Sequence, residues 1–150
     1  MKASDYKILR TVQLHETDLG GLMHHPNYFL WMEQAEYELF HSLNEPVVGE
    51  LNDEMKGSGW PRAEVTMKFI KPLKYRDKVE IHLQITRIRS AALEYKTDFY
   101  LLNSEGTKEK VAVGTHKTIS CMYDATQKNP PQIVPAEDSF LEKLAVFSEK

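Results

Sequence analysis

Two hydrophobic periods succeed one another along the chain. From Tyr6 to Leu14, the apolar positions Tyr6, Ile8, Val12 and Leu14, with Arg10 interrupting the series, alternate with Lys7, Leu9, Thr11 and Gln13, which predicts a first strand. The period then lengthens. Tyr28, Met32, Ala35, Leu39 and Leu43 recur at steps of three and four residues, Leu30 and Trp31 widen the apolar side, and Glu33, Gln34, Glu38 and His41 fall mostly elsewhere. This predicts one long helix of roughly four to five turns. It begins at His25 or Pro26, because the fixed φ of proline suits a first helical turn and its missing N–H would have no intrahelical partner there.

Asn44 to Trp60, with Pro46, Gly49, Gly57, Gly59 and several acids, reads as a long connection with a short helical turn around Val47 to Met55. Alternation then returns. Arg62 to Ile70 places Ala63, Val65, Met67 and Phe69 on one face. Val79, Ile81, Leu83 and Ile85 mark a third strand, and Leu93, Tyr95, Thr97, Phe99 and Leu101 a fourth, closed by a turn at Asn103 to Gly106. A fifth runs from Lys110 to Tyr123, with Val111, Val113, Thr115, Ile119 and Cys121 on one face and small residues on the other. Phe140 to Phe147 predicts a short terminal helix. A strand, a long helix and four more strands joined by short turns make an α+β pattern: an antiparallel five-stranded sheet wrapped around one helix. Its uncovered face and edges point to a homodimer or homotetramer.

Composition narrows the class. The 150 residues, 41% hydrophobic and 27% charged, fit a single domain over 1–150. A net charge of −3, with cations spread along the chain, argues against a nucleic-acid partner. No apolar run reaches the roughly 18 residues of a membrane span, and the first residues carry no secretory pattern, so a cytoplasmic protein without a membrane partner is expected. The lone Cys121 reads as a small core residue.

Chemistry concentrates between the first strand and the helix. Asp18 precedes the break at Gly20 and Gly21, and His25 stands seven residues later at the predicted helix start. That order brings a carboxylate to the positive end of a helix, where open amides accept an anion or a developing oxyanion. Taken by itself, Asp18 reads first as a cap or turn residue before two glycines. His24 and His25 do not make a metal site, because adjacent residues point apart and no third ligand follows at set spacing. Glu33 reads as a solvated or interface carboxylate.

The run E-T-D-L-G-G-L-M-H-H-P-N-Y-F-L-W-M-E-Q-A, with F-I-K-P-L-K-Y-R-D-K-V-E-I and R-I-R-S at the expected distances, resembles the 4-hydroxybenzoyl-CoA thioesterase family and its Tol-Pal-associated relatives. The resemblance covers Tyr6 to Tyr123 and implies the hotdog fold. It also implies an acyl-CoA thioesterase releasing free acid and CoA, with Asp18 as nucleophile or general base and the amide of His25 polarising the thioester carbonyl. Gly21, Asn27 and Tyr28 would then contact substrate, and Arg87, Arg89 and Ser90 would match a segment that meets the phosphates of coenzyme A. The Tol-Pal branch carries a tyrosine four residues before its aspartate, where this chain has Leu14. A thioester is already activated, so a carboxylate and an oxyanion donor suffice, with no metal or organic cofactor. Two other readings of the fold are a non-catalytic acyl-CoA-binding module, which would lack the carboxylate, and a hydratase, whose Asp-His pair on another loop is not found.

Overall fold

In the computed structural model, which describes residues 5–147, the chain order is β1 (Tyr6–Thr11), α1 (Pro26–Ser42), β2 (Lys56–Gly59), β3 (Arg62–Phe69), β4 (Lys78–Ile88), β5 (Ala92–Leu102), β6 (Lys108–Ile119), β7 (Cys121–Asp124), β8 (Gln132–Ile133) and α2 (Asp138–Leu144). Five strands form an antiparallel sheet in the order β1-β4-β5-β6-β3, and β2-β7-β8 make a separate small sheet. Val79, Ile81, Leu83 and Ile85 are fully buried, as are Leu93 and Phe99 on β5, so the strand alternation directs one face into the core. Helix α1 covers that face, burying Tyr28, Trp31, Met32, Ala35, Glu36, Leu39 and Phe40 over its 17 residues.

Gly114 explains how closely the helix sits. A Cβ there would lie 2.8 Å from the Met32 sulfur and 2.9 Å from Met67 Cε, so the small-residue face of β6 is the one under α1. The helix ends at Ser42 with Leu43 as its cap, and Asn44 follows with φ 56°, a left-handed conformation that asparagine tolerates. At the far end of α1, Phe140 from α2 packs edge-on against Phe40 at 5.1 Å.

Several expectations need correction. The segment 44–60 forms no helical turn; it contributes β2, whose Lys56 to Gly59 pair with Asp124 to Cys121. The predicted fifth strand is two, divided at Ser120, because β6 follows β3 and β5 whereas β7 pairs with β2. Strand β1 ends at Thr11, and Leu14 opens a 3-10 turn instead. Leu30 is 58% exposed, and the helix buries Glu36 and Phe40 in its place.

The uncovered sheet face is not apolar: Glu80, His82, Lys108, Lys110 and Asp98 interlock across it. Leu9, opposite Glu80, is an exposed apolar side chain on that face, and a run of exposed apolar residues lies along edge strand β3 and its continuation, at Val65, Phe69 and Ile70. No helix among the described residues is long and apolar enough to cross a membrane.

Candidate active site

The loop from Thr17 to Met23 closes on itself. Thr17 bridges Met23, the Asp18 N–H donates to the Leu22 carbonyl at 2.8 Å, and the Gly21 N–H donates to the Asp18 carbonyl at 3.0 Å. Gly21 has φ +80°, which makes the reversal at no steric cost. The Asp18 side chain completes the turn, its Oδ1 accepting the N–H groups of Gly20 at 2.9 Å and Leu22 at 3.1 Å. One carboxylate oxygen is therefore fixed by two amides. The other, Oδ2, has no hydrogen-bond partner among the described residues, and the side chain is exposed.

The start of α1 offers a single open donor where several were expected. The Asn27 N–H donates to the His24 carbonyl at 3.0 Å, the Tyr28 N–H to the His25 carbonyl at 3.2 Å, and Pro26 has none to give. The N–H of His25 has no acceptor among the described residues. Asp18 and His25 line the same two cavities. The first, about 300 Å³, is walled by Met23, Tyr28 and the segment Phe69 to Pro72. The second, about 800 Å³, opens between Thr17, Leu19, Gly20 and His24. Tyr28 is buried and meets Phe69 edge-on at 5.0 Å; burial pushes its phenol above the ordinary value. The rings of His24 and His25 do not point apart but meet edge-on at 5.0 Å, and no group of three His, Cys, Asp or Glu with metal-site geometry occurs among the described residues.

Glu16 holds loop and helix together, a role the sequence reading missed. Its carbonyl accepts the His24 N–H at 2.8 Å and Asn27 Nδ2 at 2.9 Å. Its carboxylate accepts Trp31 Nε1 at 2.7 Å through Oε2 and the Gln13 N–H at 2.9 Å through Oε1. The readable signal was a glutamate three residues after Gln13, the spacing of a capping box. Asn27 thus faces the 3-10 turn and lines neither cavity.

The remaining sequence-derived residues are not gathered by one chain. Arg87 lies at the C-terminal end of β4, 3.9 Å from Glu94, with Arg89 and Ser90 beyond it. Asp18 follows β1, whose Thr11 pairs with Lys78 at the opposite end of β4. The strand length separating Lys78 from Arg87 is about 30 Å at roughly 3.3 Å per residue.

An antiparallel five-stranded sheet packed on a helix, with the acid-bearing turn at the start of that helix, defines a hotdog-fold protein of the thioesterase kind. The chain belongs to the thioesterase-like superfamily, whose family model matches residues 12–144, and its class of activity is thioester hydrolysis. It is 30% identical over 118 residues to a "Putative esterase" of Aquifex aeolicus, spanning 75% of this chain and 80% of that protein. It is 27% identical over 133 residues to the 1,4-dihydroxy-2-naphthoyl-CoA hydrolase of Gloeothece citriformis, spanning 83% and 86%. Among solved structures it is similar to a gentisyl-coenzyme A thioesterase, with TM-score 0.72, 25% identity, and 89% and 98% of the two chains covered.

Proposed function

We propose that this protein hydrolyses the thioester of an aromatic acyl-CoA, with Asp18 as the reacting carboxylate and the His25 N–H as the oxyanion donor. One observation carries the reading: an acceptor-free N–H and a carboxylate with one oxygen tethered and one open face the same cavities. Oδ2 either attacks the carbonyl carbon or takes a proton from the water that does. In both routes the carbonyl electron pair moves onto oxygen, where the His25 N–H meets it, and collapse expels the CoA thiolate; the route by direct attack leaves an acyl–Asp18 anhydride, which water then hydrolyses to the free acid and the restored carboxylate. A positioned donor of this kind contributes about 3 kcal/mol. Repeated turnover in isotopically labelled water distinguishes the routes, since only the covalent one puts label into Asp18.

The cavity of about 300 Å³, lined by the aromatic rings of Tyr28 and Phe69, suits a single aromatic acyl group. Two of the relatives act, by name, on aromatic acyl-CoA esters. A second copy of the chain completes the wall in this reading. Phe69 and Ile70 line the cavity and also lie on the open edge at β3, 49% and 53% exposed, so a homodimer pairing through that edge would cover both. Of the superfamily branches, the Tol-Pal-associated one shares a histidine at position 25 and differs at Leu14.

The test is a panel of aromatic and aliphatic acyl-CoA esters followed by thiol release. Aromatic esters are expected to give the higher kcat/KM. Equal or lower values than for aliphatic esters would overturn the assignment of acyl class, and no thiol release from any ester would overturn the reaction.

A further inference from the structure

The segment leaving the Asp18 cavity is basic: Lys71, Lys74, Arg76 and Lys78 fall within eight residues. Lys71 pairs with Glu109 at 2.9 Å and Lys74 with Asp77 at 2.7 Å. Arg76 and Lys78 have no carboxylate partner among the described residues. The acid between them, Asp77, is already occupied, its two oxygens taking the N–H and the ammonium of Lys74. Arg76 sits at φ +74°, a left-handed conformation that side chains other than glycine rarely adopt. It is held by its N–H on the Val12 carbonyl at 2.9 Å, and its guanidinium lies over the Tyr75 ring at 5.9 Å. The two free cations border a cavity of about 580 Å³ whose other wall is the β5–β6 turn, with Asn103, Ser104 and Gly106.

This cavity lies on the same end of the sheet as Asp18. Lys74 bridges Leu22, which closes the Asp18 turn. Pro72 lines the Asp18 cavity and Arg76 the basic one, four residues apart and so at most about 14 Å along the chain. That separation is within the reach of an extended pantetheine arm. Resting on the proposed hydrolysis of CoA esters, we infer that Arg76 and Lys78, with the β5–β6 turn, bind the nucleotide phosphates of coenzyme A while the acyl group occupies the cavity at Asp18 and Tyr28. Arginine grips phosphate through a planar fork and lysine as a point charge, both strongest when no carboxylate competes. Arg87, beside Glu94 at the other end of β4, lacks that freedom and, within its own chain, that position.

The experiment compares an acyl-CoA with the N-acetylcysteamine thioester of the same acid, which has no phosphate. In the Arg76→Asn/Lys78→Gln variant, chosen because asparagine tolerates positive φ, KM for the CoA ester should rise at least about tenfold. Its kcat, and all kinetics with the short thioester, should stay at wild-type values. An unmoved KM overturns the inference, as does an equal loss with both thioesters. So does a loss carried instead by Arg87→Ala/Arg89→Ala. If the wild type cleaves neither thioester, the proposed function fails but the site remains testable by calorimetric titration with CoA. Binding by wild type that is lost in the Arg76→Asn/Lys78→Gln variant supports it; no binding by wild type, or equal binding by both, overturns it.

Discussion

Asp18→Asn separates the chemistry of the turn from its architecture. Both amides that hold the side chain converge on Oδ1, at 2.9 Å from Gly20 and 3.1 Å from Leu22, and an asparagine carbonyl oxygen accepts both. The turn therefore keeps its bonds, and at an exposed site the stability should change by no more than about 0.5 kcal/mol. What disappears is the negative charge and basicity at Oδ2, the atom with no partner among the described residues. Turnover should fall at least about a hundredfold, or about 2.7 kcal/mol of barrier, the low end for a positioned acid-base group. Affinity for the acyl-CoA should be unchanged or slightly tighter, since the ligand is itself anionic. Asp18→Ala serves as the contrast: it removes both hydrogen bonds, so stability falls with activity. Thiol release measures turnover, calorimetry measures binding of uncleaved ester, and a thermal melt measures stability. A folded Asp18→Asn protein that turns over its best substrate within about threefold of wild type, far short of a general base's contribution, would remove Asp18 from the mechanism.

Glu16→Ala keeps the contacts of the Glu16 carbonyl and deletes the acceptors of Trp31 Nε1 and of the Gln13 N–H, so kcat should fall more than KM rises, with the Trp31 emission shifted; an unchanged kcat would show that the clamp does not position the site. Glu36 is fully buried on α1, hydrogen-bonded to His116 and 3.3 Å from Arg62, with the Tyr95 ring stacked on His116 at 4.2 Å. Glu36→Ala leaves buried His116 without its carboxylate and Arg62 with Glu33 alone at 4.0 Å, and should cost about 3–5 kcal/mol in urea denaturation, whereas a loss under about 1 kcal/mol would refute the assignment of a buried ion cluster. Glu80 sits below the ordinary glutamate value of 4.5: burial pushes its carboxyl up, and the hydrogen bonds from Lys108 and His82 outweigh that. Its contribution to stability is thus complete above the ordinary value and lost as pH falls through the depressed one, so Glu80→Gln should flatten the acid limb of the urea midpoint against pH. An unaltered acid limb would count against it.

What the sequence determined by itself is local. Asp18, Gly20, Gly21, His25 and Pro26 lie within nine residues, so a turn, a helix start and a carboxylate between them follow from backbone chemistry, and the start of α1 at Pro26 matches. The alternation at Val79 to Ile85 and Leu93 to Leu101 likewise gave strands in place, because one face of each meets the core along its whole length. Tertiary structure alone decided which strand is the edge. Nothing in the alternation of Ala63, Val65, Met67 and Phe69 marks β3 as outermost, since period-two patterning is the same whether one neighbour or two is present. It also decided that a glutamate could replace an apolar residue on α1. Glu36 sits four residues from both Met32 and Phe40, at core spacing, and its burial depends on His116, eighty residues away, and on Arg62. Above all, it separated two arginine segments that look alike in one dimension. Antiparallel pairing of β1 with β4 brings Arg76 and Lys78 to the Asp18 end of the sheet and carries Arg87 and Arg89 to the other, because a strand's two ends are kept apart by its own rigid length.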